Sequence, residues 1–471
     1  AFADVMRRYP KVSTVVGSHG SEKVSYEFLL SDERLRPILS QLHPRLAKWV
    51  IREYLEDIRQ KLLQGKDDEF NLDELEMRLQ ENLKPSLCRA INGLGVVLHT
   101  GLGRAPLAKL AQKALVEVSE NFCCLEINRT DGRRGSRYRH IESLLCELTG
   151  AEAAMVNNNC AATLLILSTI AKGKEVIVSR GQLIEIGGSF RIPEVMQQSG
   201  CRMVEVGTTN RTHLRDYEDA ISPDTAVLLR VHTSNYRIIG FTKEVPLEEL
   251  VQLGRRHNIV VIDDLGSGAL IDLSKYGLPK EPVVAESIAT GADIVCFSGD
   301  KLIGGSQAGI IVGRRDLIDR MKKNPLTRAL RCGKLTYAVL ERTLELFLDE
   351  ERVIKEHPLI QILLKPLPEM EKGANELLIL VKDKIGDQAD LEIKPAKAEV
   401  GGGSLATESL ESRVLAIKPK KIKVEELAQR MRFYRPPVFG RIEKGEYLLD
   451  FRTIRSDEIP IVAEALISAF V

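Results

Sequence analysis

The spacing of apolar positions changes twice along this chain, and each change marks a different kind of structure. Over residues 44–63 (PRLAKWVIREYLEDIRQKLL) and 72–83 (LDELEMRLQENL) apolar side chains recur every three or four positions among charges. That is the period of an amphipathic helix. The polar link Gly65-Lys66-Asp67-Asp68 separates the two stretches, so residues 1–85 read as a small helical domain. From 86 to 335 short apolar runs take over: EVIVS (175–179), MVEVG (203–207), TAVLLRV (225–231), IVVID (259–263), DIVCFS (293–298) and GIIVG (309–313). Buried strands alternating with helical stretches predict an α/β domain with a mixed or mostly parallel sheet. Residues 336–471 begin with a long helical stretch and end in short strands and turns, including VGGGSL (400–405) and EYLLDFRTI (446–454). That pattern predicts a smaller α+β domain.

One strand end carries unusual chemistry. ADIVCFSGDKLIGGSQAGIIV (292–312) places Lys301 in a tight loop between two apolar runs. Desolvation disfavours an ammonium and lowers its pKa, and a neutral amine can form a Schiff base with a carbonyl. A solvated loop lysine is the plain alternative. Upstream, the apolar run Ile259–Ile262 ends in Asp263-Asp264 and a Gly-Ser-Gly loop. Ligands of open α/β sheets sit beyond the carboxyl ends of strands. A carboxylate there can hold a pyridine nitrogen protonated, as pyridoxal 5′-phosphate requires, and Asp263 is the first such residue. A helix N-cap or a magnesium pair would also use two aspartates, but the chain has no GxxxxGK[ST] loop to bring a metal-bound phosphate. Earlier still, Asn157-Asn158-Asn159-Cys160-Ala161-Ala162 runs from a short strand (Ala153–Val156) into an apolar helix. Small and amide residues at a helix start leave N–H groups to cradle a phosphate, or simply cap the helix. Ser298, three residues before Lys301, could add a hydroxyl.

Composition narrows the class. The net charge of +1 implies no general polyanion-binding field, and 44% hydrophobic residues suit a substantial core. No apolar stretch approaches the length of a membrane span, and the first residues lack a signal-peptide core, so a cytoplasmic protein is expected. Eight cysteines lie scattered without a CxxC pair, and the histidines form no HExxH, which argues against a disulfide framework or a metal centre.

Arginines are the second chemical signal. RTDGRRGSRYR (129–139) concentrates Arg129, Arg133, Arg134, Arg137 and Arg139 around two glycines. Arg328 and Arg331 would share a face on a helix, and Arg104 follows a Gly-rich turn. Planar guanidinium forks suit phosphate-like anions. Surface salt bridges, RNA contact or a subunit interface would use the same residues.

Long motifs then give a resemblance. INGLGVVLHTGLGRAPL (91–107), LTGAEAAMVNNNCAATLL (148–165), SRGQLIEIGGSFRIPEVM (179–196), VHTSNYRIIGF (231–241), VIDDLGSG (261–268), FSGDKLIGGSQAGIIVG (297–313), RALRCGKLT (328–336) and PPVFGRIEKGEYLLDFRT (436–453) are similar to the bacterial selenocysteine synthases, the L-seryl-tRNA(Sec) selenium transferases. These are fold-type-I enzymes that use pyridoxal 5′-phosphate. The resemblance implies Lys301 as the Schiff-base lysine, Asp263 as the pyridinium partner, and Asn157, Asn158, Asn159, Cys160 and Ala161 with Ser298 as the phosphate cup. It implies Arg104, Arg328 and Arg331 as ligands of the selenium donor, and Asp300 as a residue that orients the seryl end. It also implies a tRNA-binding N-terminal domain and a ring of dimers, a decamer, with sites at dimer interfaces.

The implied reaction converts L-seryl-tRNA(Sec) to L-selenocysteyl-tRNA(Sec) with selenophosphate, through an aminoacrylyl-tRNA. No DNA or membrane partner is implied. Gly101 and Cys160 depart from the usual Asn and Ala of the family. The residue that stacks on the cofactor ring is not identifiable, with Gln182 and Glu185 as guesses, and Arg452 has no evident anion. The rivals are a lyase of the same superfamily acting on a small phosphorylated sugar acid or amino acid, and a tRNA-binding scaffold that has lost its chemistry.

Overall fold

The computed structural model describes residues 29–30, 32–64, 70–83, 85–156, 158–187, 190–405 and 409–471. The link at 65–68 and Asn157 therefore lie outside the described residues. The chain divides into two compact units, Ala1–Ala90 and Ile91–Val471.

In the first unit, helix α1 (Pro44–Leu63) begins where His43 Nδ1 accepts from Arg45 N at 3.2 Å, with Pro44 in the first turn. Proline fits there because that N–H has no intrahelical partner. Ala47, Val50, Ile51, Tyr54 and Ile58 form its buried stripe. Helix α2 (Leu72–Glu81) is capped by Asn71, whose Oδ1 accepts from Asp73 N and Glu74 N. Leu75 and Leu79 on α2 are fully buried against that stripe. Each contributes about 2 kcal/mol through burial, so Leu75→Ala would loosen this small core first. The Tyr54 hydroxyl lies 2.8 Å from both Asn71 O and Asn71 N, tying the cap of α2 to α1.

The second unit contains two large sheets. Its strands are β1 (Ile91–Gly93), β2 (Glu152–Val156), β3 (Glu175–Ser179), β4 (Glu185–Ile186), β5 (Phe190–Arg191), β6 (Arg202–Val206), β7 (Thr225–Val231), β8 (Val260–Gly266), β9 (Ile294–Ser298), β10 (Gly309–Gly313), β11 (Ala389–Glu399), β12 (Ser409–Pro419), β13 (Val438–Glu443) and β14 (Glu446–Asp450). Seven form one sheet in the order β2-β10-β9-β8-β7-β3-β6, and β4 and β5 form a small pair of their own. Pairing is parallel from β9 through β8, β7 and β3 to β6, and antiparallel at β10 with both β9 and β2. Both faces are covered, which is why these strands read as continuous apolar runs. Ile262, Cys296 and Ile311 face one core, shared with helix α3 (Asn159–Ile170). Val261, Val295 and Phe297 face the other, shared with helix α4 (Val284–Thr290).

The five-stranded sheet has the order β1-β13-β14-β12-β11, so β1 joins it from the start of the unit. Its strands β11 and β12 pair antiparallel over eleven residues each, far longer than the short strands expected for the C-terminal region. Pro395 is tolerated because β11 lies at the sheet edge. Arg452, 5% exposed, donates to Ile362 O and Leu363 O, both at 3.0 Å, and to Glu411 O. It thus ties a helix end to the entry of β12, which answers what that arginine does in the fold. The loop between β11 and β12 carries Gly401–Gly403 back toward the large sheet. There Val97 N and Leu98 N donate to Glu399 O and Val400 O.

Candidate active site

Three loops converge at the carboxyl end of the large sheet: 99–104, 299–305 and 400–405. Lys301, three residues beyond β9, is 7% exposed, and its Nζ lies 3.4 Å from Gly403 O. Burial, helped by the Arg104 guanidinium, pulls its pKa down; Asp264, Asp300 and Glu281 pull the other way. Arg104 donates from Nη1 to Gly402 O at 3.0 Å, and its Nε lies 3.6 Å from Asp300 Oδ2. Arg104, Asp300 and Lys301 therefore share one place.

The two aspartates of β8 separate. Neighbouring residues of a strand point to opposite faces. Asp263 points with Val261 toward α4: its Oδ1 accepts from Arg230 Nη1 at 2.9 Å and its Oδ2 from Ser287 Oγ at 2.8 Å. It is fully buried and already neutralised by Arg230. Asp264 points with Ile262 toward α3. Its Oδ1 accepts from Asn159 Nδ2 at 2.5 Å, and its Oδ2 from Thr163 Oγ1 at 3.0 Å. Burial pushes its carboxyl pKa up, while those two hydrogen bonds and Lys301 hold it down. Asp263, expected as the partner of a pyridine nitrogen, is turned by strand alternation toward Arg230 and Ser287, and Asp264 is the carboxylate on the side of Lys301.

The start of α3 lies on the same face as Asp264. Asn158 caps the helix, its Oδ1 accepting from Ala161 N at 2.8 Å. Its side chain is thus engaged, and an anion here would meet first-turn N–H groups, which have no intrahelical carbonyl. Asn159 Oδ1 is buried with no hydrogen-bond partner among the described residues, and so is Ser234 Oγ. Cys160 is half-buried, burial raising its thiol pKa, and Ala161 and Ser298 are buried. A Cβ added at Gly266 would stand 3.6 Å from Lys301 Nζ and 3.4 Å from Ser234 Oγ; one added at Gly403 would stand 3.3 Å and 3.5 Å from the same atoms. The bare glycines thus leave a cradle around the amine.

This set fits pyridoxal phosphate. A phosphate would meet the start of α3, a pyridine nitrogen would meet Asp264, and Lys301 would supply the amine. Sequence reasoning weighed the Asp263-Asp264 pair and chose Asp263, and it missed Thr163 and Ser234. Thr163 stands four residues after Asn159, so the helix itself places both side chains on Asp264, a spacing that could have revealed them. Gln182 and Glu185 have other duties: Gln182 Oε1 accepts from Val231 N at 3.1 Å, and Glu185 pairs with Arg191 at 2.8 Å.

Arg328 and Arg331 gather elsewhere in the chain. With Arg134, Arg137, Lys322 and Lys323 they line a pocket around Glu126. Glu126 Oε1 lies 3.2 Å from Arg331 Nη1 and also pairs with Arg137; Oε2 lies 2.8 Å from Arg134 Nη2. The helix Pro325–Ala329 ends before Arg331, so a shared helical face is not what brings these two together. Arg137 also donates to Cys332 O at 2.5 Å, and Arg139 to Cys124 O at 3.2 Å, so part of the 129–139 run stitches backbone.

Comparisons with known proteins show the family. Residues 90–455 match the family model SelA, L-seryl-tRNA selenium transferase. The L-seryl-tRNA(Sec) selenium transferase of Alkaliphilus oremlandii is 46% identical over 453 residues, covering 94% of this chain and 96% of that protein. The enzyme of the same name from Desulfotalea psychrophila is 44% identical over 473 residues, 99% of this chain and 98% of that one. Among solved structures, a D-glucosaminate-6-phosphate ammonia-lyase covers 81% of this chain and 96% of its own, with a TM-score of 0.55. At 19% identity that likeness shows the fold alone. The chain belongs to the L-seryl-tRNA selenium transferase family.

Proposed function

We propose that the chain converts L-seryl-tRNA(Sec) to L-selenocysteyl-tRNA(Sec), taking selenium from selenophosphate, at the site around Lys301. The observation that carries this reading is a buried lysine amine held between Arg104, Asp300 and Asp264 beside the start of α3. Pyridoxal 5′-phosphate, when bound, supplies an electron sink that makes the Cα proton of an amino acid acidic. Asn158, Asn159, Cys160 and Ala161, with Ser298 nearby, hold its phosphate, and Asp264 rather than Asp263 holds its ring nitrogen. Asn157 belongs to the same cup by the family resemblance.

Lys301 is the base at the serine Cα. Burial and Arg104 favour its neutral form, the form that takes a proton. The same ammonium can return that proton to the departing β-hydroxyl, which leaves as water. Asp300 steers Arg104, whose guanidinium meets the incoming selenophosphate. Selenium then bonds to Cβ while Lys301, reprotonated from solvent, returns a proton to Cα, and water attacks the phosphorus so that the Se–P bond breaks and phosphate leaves. Arg328 and Arg331, clustered at Glu126, serve the same anion from a neighbouring subunit in a ring of dimers, a decamer by resemblance. We assign tRNA binding to residues 1–85, the core chemistry to 86–335 and the smaller domain to 336–471, in a cytoplasmic enzyme. Among the described residues no helix is long and apolar enough to cross a membrane.

The test is incubation with seryl-tRNA(Sec) and selenophosphate. Selenocysteyl-tRNA should form. Turnover of a free amino acid or phosphorylated sugar acid instead, with no selenocysteyl-tRNA, would favour the lyase.

A further inference from the structure

Gly401, Gly402 and Gly403 lie in the loop that joins β11 to β12, and the reaction above makes no use of them. The loop is fixed on both sides of the glycines. Before them, Val97 N and Leu98 N donate to Glu399 O and Val400 O at 2.9 Å and 2.7 Å. After them, Leu405 N donates to Oε1 of the buried Glu281 at 3.4 Å. A loop of the five-stranded sheet is thereby held against the lysine loop of the seven-stranded sheet.

Two successive carbonyls here meet the two cations of the site. Gly402 O accepts from Arg104 Nη1 at 3.0 Å, and Gly403 O from Lys301 Nζ at 3.4 Å. Leu98 O also accepts from Arg104 Nη1, at 3.4 Å. With Nε facing Asp300, Nη2 is the part of the Arg104 fork that has no hydrogen bond among the described residues. A guanidinium is planar, so fixing Nη1 and Nε also fixes the direction of Nη2. Arg104 is itself held at a φ of 70°, a conformation that a non-glycine residue keeps only where its surroundings enforce it. Opposite it, only glycine fits. A Cβ at Gly402 would stand 2.0 Å from Arg104 Nη1 and 2.7 Å from Leu98 O, on a backbone with a φ of 65°. Ser234 Oγ, which would lie 3.5 Å from a Cβ at Gly403, is buried with no hydrogen-bond partner among the described residues. The space beside the loop thus keeps hydrogen-bonding capacity for a ligand.

We propose that Gly402 is a positioning residue for the selenium donor: its carbonyl holds the Arg104 guanidinium so that Nη2 is presented to the incoming anion. The inference rests on the reading of Arg104 given above and extends it to the loop that aims it. The loop acts through geometry and contributes no charge of its own. A β-carbon at position 402 displaces the guanidinium and leaves the lysine in place.

The test compares Gly402→Ala, Arg104→Ala and the double variant as holoenzymes with seryl-tRNA(Sec) and selenophosphate. Gly402→Ala should raise KM for selenophosphate about tenfold, roughly one charge-assisted contact. Its kcat, its KM for seryl-tRNA(Sec) and its cofactor absorbance should stay at wild-type values. In the Arg104→Ala background, Gly402→Ala should add nothing to that KM, because the group it acts through is gone. An additive rise overturns the inference, and so does an unchanged KM in Gly402→Ala beside a raised one in Arg104→Ala. If Gly402→Ala does not hold the cofactor, the double variant decides. Absorbance regained there supports the inference, since the guanidinium was the obstacle, and absorbance still lost overturns it. A wild-type KM in Arg104→Ala fails the reading of that arginine, and a wild type that makes no selenocysteyl-tRNA fails the proposed reaction. The inference falls with either.

Discussion

The lysine site and the arginine pocket around Glu126 both gather charge, but they handle it in opposite ways. Lys301 and Asp264 are 7% and 4% exposed, and polar atoms of Asn159 and Ser234 that have no partner among the described residues lie near them. In the arginine pocket the Arg134 side chain is 73% exposed, and Glu126 is met by Arg134, Arg137 and Arg331. Hydrogen bonds from Arg137 and Arg134 hold the Glu126 carboxyl below the usual range. The lesson is one of dielectric. Buried charges with incomplete partners are poised for chemistry, whereas solvated charges in excess collect anions and change little in stability. Substitutions should therefore damage the two regions differently.

The largest effect is expected at the lysine. Lys301→Ala should lower kcat by three orders of magnitude or more and abolish the visible absorbance of reconstituted enzyme. Native mass and selenophosphate retention at the arginine pocket should survive. Retained absorbance in the variant would separate the buried lysine from the cofactor and break the contrast.

A second effect concerns what holds the lysine loop. His357 is fully buried, its Nε2 lies 2.8 Å from Ile303 O, and a Cβ on Gly304 would stand 2.4 Å from its ring. Burial pulls its pKa down from 6.5 to about 4. The unfolded chain then binds this proton more readily than the folded one. Stability is therefore fully present above the unfolded value and is lost as pH falls from about 6.5 toward 4. The loss is about 3 kcal/mol. Urea unfolding at pH 7 and pH 4 should show that loss in the wild type and a smaller one in His357→Gln. Parallel pH dependences would remove His357 as the anchor of the loop.

The smallest effect belongs to the arginine pocket. Arg331→Ala and Arg328→Ala should each raise KM for selenophosphate about tenfold, roughly one charge-assisted contact. Cofactor absorbance should not change. A loss of absorbance would mean that the two regions are not separable.

Much of this was legible in the sequence, and the exceptions have physical reasons. TAVLLRV (225–231) and GIIVG (309–313) match β7 and β10 residue for residue, because a strand covered on both faces is a short apolar run between breakers. That same double covering hid the face of each aspartate: β8 has no alternation of apolar and polar residues to say which side carries the ligand. Only the packing of α3 and α4 decides it. The long hairpin β11–β12 was missed because charged residues and Pro395 interrupt an edge strand that carries hydrogen bonds on one side. Arg104 drew notice from its Gly-rich turn, whereas Asp300 entered only through the family resemblance. The company kept by Arg328 and Arg331 was not, because Glu126 lies some two hundred positions away in sequence.

The adjacent aspartates give the most direct test of the account. Visible spectra of reconstituted Asp264→Asn and Asp263→Asn should be recorded across pH, beside the wild type. The account predicts that Asp264→Asn shifts the absorbance of the bound cofactor and its pH response, because the ring nitrogen loses its carboxylate. Asp263→Asn should keep the wild-type spectrum and lose about 3–5 kcal/mol of stability, because Arg230 is left buried without a counter-charge. A wild-type spectrum in Asp264→Asn together with an altered one in Asp263→Asn would contradict it.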